Sequence, residues 1–387
     1  MALFRSERGI GRGEIAESRI EAPFFAAFMA ICAVALLFTH LRFGNDSLTI
    51  ALAVSMIVFG VTVLRVELGV SILIIAMLLS PEIAAGSVGR SGERSLNLRY
   101  DDVLIVVIFF GVLVKLAFEG APSFVPPSPI NWAIVAYYGV CIHSTLLALN
   151  LDLPAWDKRV AFFVMLKMLE FYMVFFMVGN AIRTRKDMRI QVGLLLAVAS
   201  IVSVYAAYTV GHLDRVSAPL EEGGTEPNTL GGYLTVVMCL TCGLFLTAPR
   251  WKKLIFLGIT AVALYPFLYT LSRASYMALV VGLIALGLKA RRAWVVILMI
   301  FVLAFSNYLM PKAVRERVNY TFQEGSGKTV SILGHDTGIE VDTSTHERLY
   351  VWDKVKYNLH YWPWFGGGVS WETVLDSQYA RVILETG

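Results

Sequence analysis

The residue types that could do chemistry together in this chain are three arginines, Arg215, Arg273 and Arg348, and one late carboxylate, Asp376. Arginine presents a planar fork of donors that matches the paired oxygens of a phosphate, so arginines at one face point to an anion. Arg273 follows Ser272 in a connection between two apolar runs so short that the charge must lie at the membrane boundary. The stretch Thr225-Glu226-Pro227-Asn228 opens the preceding apolar run, and Pro227 suits a first helical position because its missing N–H would have no partner there anyway. Two helices starting at one surface bring unpaired N–H groups and positive dipole ends to it, which also favours an anion. Asp376 has two open jobs, as the N-cap of a final helix or as a carboxylate that orients or deprotonates an acceptor hydroxyl. The run Gly366-Gly367-Gly368 makes a turn where backbone can approach a ligand.

Each feature also has a plain structural job. Thr225 or Glu226 can cap a helix, and Arg273 can snorkel to the interface. Lys167 and Glu170 share a helix face within an apolar run, where an ion pair inside the bundle accounts for them. Cys239 and Cys242 are spaced C-x-x-C but sit in an apolar run, where they read as small packing residues. The run Gly325-Ser326-Gly327-Lys328-Thr329 has half of a nucleotide-binding loop, with Phe322 where the first glycine belongs, and is rejected. His335, Asp336, Asp342 and His346 match no metal-ligand spacing.

The elements that must position these residues are membrane helices. Of 387 residues 57% are hydrophobic and 16% charged, against about 25% charged in soluble domains. Apolar runs recur at lengths near the ~20 residues needed to cross a bilayer core. The expected fold is all-α and polytopic, with 11–12 transmembrane helices and one long extracytoplasmic loop near the C-terminus. Spans are expected at 22–39, 47–64, 68–85, 101–118, 130–149, 160–180, 189–210, 229–248, 254–271, 273–288 and 293–310. The organisation is therefore a cytoplasmic segment 1–21, a helical bundle 22–310, an extracytoplasmic loop 311–375, and the start of a further helix at 376–387. With the N-terminus inside, inner segments hold twice as many Lys and Arg as short outer ones, the expected bias. The loop then lies outside, and Arg215 and Arg273 lie on the same face. Within the loop Ser344-x-x-Glu347 is a capping box, followed by Leu349, Trp352, Val355 and Leu359 at helical steps with Arg348 beside the seam. That helix faces either the membrane or the core. The net charge of +4 is spread over loops and gives no nucleic-acid surface.

From about residue 215 onward the chain resembles the O-antigen ligase and polymerase family of bacterial envelope polysaccharide enzymes. The matching residues are Glu226-Pro227-Asn228, Leu271-Ser272-Arg273-Ala274, Glu347-Arg348 with Trp352, Pro363-Trp364-Phe365-Gly366-Gly367-Gly368, Asp376-Ser377-Gln378-Tyr379 and Glu385-Thr386-Gly387. The resemblance implies a metal-independent, cofactor-free glycosyltransferase of the bacterial inner membrane. It would take a polyprenyl-diphosphate-linked glycan donor and a glycan or lipid-glycan acceptor among membrane lipids. By matching position Arg273 and Arg348 would bind the diphosphate, with Asp376 at the catalytic centre. Arg215, Glu226, Asn228, Tyr350, Gly366, Gly368 and Tyr379 would contact substrate. Family ligases carry a His where this chain has Asp376-Ser377, which tilts the expectation to a polymerase or a divergent transferase. The family continues with further spans, so the resemblance reads a chain ending at Gly387 as a fragment. The rival expectation is a transporter or flippase for an anionic lipid-linked glycan, for which Lys167 and Glu170 speak.

Overall fold

The computed structural model describes residues 34, 46–80, 82–88, 94–120, 124–150, 156–212, 215–217, 219, 227–305, 308, 311–319, 329–332, 335–340, 350–353, 355–357, 364, 366–371 and 377–387. Helices dominate. In chain order they are α1 (Asp46–Leu64), α2 (Val66–Leu79), α3 (Tyr100–Phe118), α4 (Ile130–Ala148), α5 (Lys158–Ala181), α6 (Arg185–Thr209) and α7 (Pro227–Thr247). There follow α8 (Arg250–Tyr269), α9 (Arg273–Lys289), α10 (Ala293–Ala304), α11 (Lys312–Asn319) and α12 (Gln378–Thr386). Five of them, α4 to α8, are long and apolar enough to cross a membrane. The chain is a multi-helix membrane protein.

Two short antiparallel hairpins accompany the helices: β1 (Glu82–Val88) with β2 (Arg94–Arg99), and β3 (Thr329–Ile332) with β4 (His335–Glu340). Neither was expected. The span anticipated at 68–85 stops at Leu79, and residues from Glu82 onward pair as a strand. Pro81 explains the stop, since a proline disfavours helical backbone in the residue before it.

The chain divides into two compact units. The smaller comprises 1–73, 103–126 and 176–183. In it Thr62 is fully buried and turns its hydroxyl back to the Val58 carbonyl at 2.7 Å, the usual way an apolar helix hides a polar group. Gly69 of α2 and Gly111 of α3 both come up against this Thr62 side chain, so small residues set how closely the helices approach. At the end of this unit Glu119 accepts Arg183 at 2.7 Å, and Asn180 donates to the Phe124 carbonyl at 2.7 Å.

The larger unit comprises 74–102, 127–175 and 184–387. Its core lies among α6, α7 and α8: Val198, Val202 and Ala206 meet Leu230, Leu234 and Met238, and Ala263 and Phe267 close the cluster. On α7 the buried residues Pro227, Leu230, Gly231, Leu234, Met238 and Thr241 recur every three to four positions. That is one helical face, and Val236 on another face is exposed as a lipid-facing residue would be. A hydroxyl pair, Thr241 with Thr260 at 2.8 Å, ties α7 to α8. The helix ends are built from local chemistry. Thr184 and Asp187 form a reciprocal capping box on α6. Ser272 caps α9 by accepting the Ser275 N–H, and Leu271 turns the chain between α8 and α9 with φ +51°.

Candidate functional site

In the larger unit the end of α6, the start of α7, the end of α8 and the start of α9 lie together. The chain leaving α6 runs along the α8–α9 turn, with the Val216 N–H donating to the Tyr269 carbonyl at 3.1 Å. Arg215 beside it spreads its fork over this junction. Its Nε donates to the Thr270 carbonyl at 3.1 Å, and its Nη2 reaches the Leu271 carbonyl at 3.5 Å and the Asn228 Oδ1 at 3.4 Å. The Thr270 and Leu271 carbonyls terminate α8, so a guanidinium there complements the negative end of that helix. Arg273 opens α9, half-buried, two residues beyond the Leu271 carbonyl that Arg215 holds. Asn228 is exposed on the first turn of α7.

Gly231 sits one turn into α7 against the α9 cap. A Cβ there would lie 2.5 Å from Ser275 Oγ, 3.0 Å from Ser275 Cβ and 3.3 Å from Ser272 Cβ. The Ser272 and Ser275 hydroxyls are 2.9 Å apart. The positions of Asn228 and Arg273 are thus set by one glycine–serine contact between two N-terminal turns. Sequence placed Arg215, Asn228 and Arg273 at one surface from topology and charge. It named Ser272 only as the residue before Arg273 and missed Gly231 and Ser275, although the small residues opening both helices were the signal.

Gly366 and Gly368 belong to a second constellation, against α12 and the last turn of α4. Both have positive φ, +58° and +83°. A Cβ on Gly366 would collide with the Glu385 backbone, and one on Gly368 would lie 2.7 Å from Ala148 Cβ. The lack of side chains is required by neighbouring protein. Every N–H from 367 to 370 is spoken for: Gly367 donates to the Leu384 carbonyl at 2.9 Å, Gly368 to the Glu385 carbonyl at 3.1 Å, Val369 to Thr145 Oγ1 at 3.2 Å, and Ser370 to Glu385 Oε1 at 2.7 Å. Trp156 donates to the Val369 carbonyl at 3.0 Å, and Ser144 donates to the Glu385 carbonyl. The Glu385 side chain is 4% exposed and pairs with Arg381 at 3.0 Å. Ser144, Thr145 and Trp156 were missed, because partners more than 200 residues apart leave no local pattern, and Glu385 was noted only within its terminal motif.

The last helix starts one residue later than expected. Ser377 is its N-cap, accepting from the Ala380 N–H, so capping does not require Asp376. Asp376, Glu226 and Arg348 lie outside the described residues. Tyr350 and Tyr379 are 61% and 81% exposed. Residues 350–353 and 355–357 are helical, and Val355 with Val351 packs on Ala380 and Leu384 of α12. Of the two faces open to that amphipathic helix, this seam takes protein.

A third polar group lies along α5. Lys167 contacts Asp102, near the start of α3, as well as Glu170 at 3.3 Å. Asp102 is 8% exposed and accepts the Arg99 N–H at 2.9 Å. The expected pair is therefore a carboxylate–ammonium–carboxylate triad. Cys239 packs its sulfur where Gly282 of α9 has no side chain, 2.8 Å from a Cβ placed there. No protein-family model matches the chain, and neither a curated protein nor a solved structure matches it.

Proposed function

We propose that this chain is a glycosyltransferase of the O-antigen ligase or polymerase type. It transfers glycan from a polyprenyl-diphosphate-linked donor on the extracytoplasmic face of the bacterial inner membrane, with its N-terminus in the cytoplasm. The observation that carries the proposal is the junction of helix ends at Arg215. Two N-terminal turns, α7 and α9, open beside one another, and Arg273 stands on the first residue of one of them. Charge builds on the diphosphate as the glycosidic bond to it breaks. Fixed positive partners that need no reorganisation stabilise that charge, commonly the largest single contribution to catalysis. Arg273 and Arg348 take this role. Arg215, committed to Thr270, Leu271 and Asn228, orients the α8–α9 turn and lends its charge to the donor's site. Asp376 directs the acceptor hydroxyl.

Conversion of purified polyprenyl-diphosphate glycan by the detergent-solubilised chain tests this. Wild type gives product, and Arg273→Ala and Arg348→Ala, still folded, lose it. Full activity in either variant removes that arginine from the mechanism. Orientation is read from Asp342→Cys and Arg185→Cys: labelling of the second from outside overturns the topology. The rival reading, a flippase or transporter for an anionic lipid-linked glycan, draws on the Asp102–Lys167–Glu170 triad. Ionisable groups inside apolar helices can mark a substrate or ion pathway, although an ion pair that only holds the bundle together also accounts for this one. Movement of the intact lipid across proteoliposomes without glycan transfer favours that reading.

A further inference from the structure

Each short turn in the larger unit reverses the chain, so the α7–α8 and α9–α10 turns lie at the end opposite the Arg215 junction. They come together there: a Cβ placed on Gly243 of α7 would lie 3.7 Å from the Leu286 side chain of α9. This end bears Arg250, Lys252 and Lys253 at the start of α8 and Lys289, Arg291 and Arg292 around the end of α9. From 227 to 305 the chain contains no Asp or Glu, so its own hairpins offer these six cations no counter-charge. The start of α6 is close by, since Val192 joins Leu244 and Phe256 around one buried cluster. The acid it brings, Asp187, is held in the α6 capping box.

Two of these placements run against local chemistry. The first turn of α8 sets three cations at the positive end of the helix dipole, and Pro249 gives that end no side-chain cap. Arg291 has φ +52° and closes α9: its N–H donates to the Leu288 carbonyl at 3.1 Å, and the Arg292 N–H donates to the Gly287 carbonyl at 2.9 Å. Glycine is the ordinary residue at that position, because a side chain makes the left-handed conformation costly. The cations also stand among exposed apolar groups, namely Trp251, Leu254, Leu288 and Trp294. Lys252 lies over the Trp251 ring, 4.9 Å from its centroid. Indole rings and basic side chains mixed at helix ends belong at the depth of lipid headgroups.

We propose that this end of the α6–α10 bundle binds anionic phospholipid headgroups, and that Arg291 is kept in a strained turn for its charge. The lipid phosphate supplies the counter-charge that residues 227–305 lack, and the exposed tryptophans and leucines lie against the upper acyl chains. A soluble anion would meet the charge and leave those apolar groups in water, so the occupant is a lipid. Attraction of this kind weakens as salt rises.

The test titrates the detergent-solubilised full chain with phosphatidylglycerol or phosphatidylcholine and counts bound lipid by native mass spectrometry. Unfolding temperature is measured in parallel without added lipid. Wild type binds phosphatidylglycerol more tightly than phosphatidylcholine, and the preference shrinks as salt rises. Arg291→Gly relieves the turn and unfolds no more readily than wild type, yet its affinity for phosphatidylglycerol falls roughly fivefold, the worth of one basic residue at an anionic surface. Arg291→Lys keeps the wild-type affinity, and Lys252→Gln/Lys253→Gln lowers it further than Arg291→Gly does. Equal affinity of wild type for the two lipids overturns the proposal, as does wild-type affinity for phosphatidylglycerol in both charge-removing variants. A loss confined to Arg273→Ala places the lipid at the opposite end and overturns it too. Displacement of phosphatidylglycerol by an equal concentration of inorganic phosphate assigns the site to phosphate itself and removes the lipid. An Arg291→Gly chain less stable than wild type gives Arg291 a structural job and refutes its being kept for charge. The Lys252→Gln/Lys253→Gln chain then decides the rest, and wild-type affinity in it overturns the lipid site.

Discussion

Gly231→Ala is the most informative single substitution, because one added carbon lands between the N-terminal turns of α7 and α9. The new Cβ meets Ser275 Oγ at 2.5 Å, Ser275 Cβ at 3.0 Å and Ser272 Cβ at 3.3 Å. None of these is the end of a flexible chain. Ser275 Oγ is held against Ser272 Oγ at 2.9 Å, and the Ser272 hydroxyl caps α9. Relief requires α9 to move away from α7 or the cap to rotate. Overpacking of this kind costs about 1–3 kcal/mol, and a lost cap about 1 kcal/mol more. Glycine itself costs about 0.5–1 kcal/mol relative to alanine within a helix, which offsets part of the loss. The net expectation is a destabilisation of about 1–3.5 kcal/mol. Ser275→Gly removes the obstruction, so the double variant Gly231→Ala/Ser275→Gly is more stable than the sum of the singles by about 1 kcal/mol or more. Reversible unfolding in mixed micelles measures all four corners of the cycle. Strict additivity, or a Gly231→Ala protein as stable as wild type, refutes the packing argument and the claim that this contact sets Arg273.

Other substitutions test the remaining constellations. Arg215→Lys keeps the charge but cannot reach Thr270, Leu271 and Asn228 from one planar fork; the expected loss is about 1.5–3 kcal/mol by the same unfolding assay. Lys167→Met leaves Asp102 and Glu170 facing each other without a cation, a loss of about 3–5 kcal/mol that Asp102→Asn in the same chain reduces; equal stability of the single and double variants argues against the triad. Thr241→Val breaks the α7–α8 hydroxyl pair, and in a membrane setting the expected cost is only about 0.6 kcal/mol, with Thr260→Val adding little on top. Trp156→Phe removes the donor to the Val369 carbonyl and should raise hydrogen exchange in the 366–370 loop while leaving α7 and α9 unchanged.

Local chemistry was readable where it was local. Pro227 opens α7, and Ser272-Arg273 opens α9, because a missing N–H and a serine hydroxyl each act within one turn of their own position. The apolar run at 68–85 overshot, since hydropathy alone gives Pro81 too little weight against the residues around it. Long-range partners were not readable. Glu385 looked like one acid in a terminal Glu-Thr-Gly, and nothing near it in sequence hints at Ser144, 241 positions earlier. Lys167 and Glu170 were recognised as a pair from their helical spacing. Asp102 joined them only through folding, because its own helix carries no mark of a neighbour 65 residues on. Gly366 and Gly368 were recognisable as backbone specialists, yet their missing side chains make room for this protein itself, the last helix at Gly366 and the end of α4 at Gly368.

The turn between α8 and α9 bears on how this protein can change over generations. Only Thr270, Leu271 and Ser272 separate the two helices, and Leu271 takes a left-handed conformation that costs about 1–2 kcal/mol for a residue with a side chain. One inserted or deleted residue would turn α9 by about 100° about its axis, since a helix has 3.6 residues per turn. Ser275 would leave Gly231, and Arg273 would swing off the junction. Substitutions can drift through this hairpin one at a time, but its length is frozen, so natural changes of length must collect in the connections elsewhere.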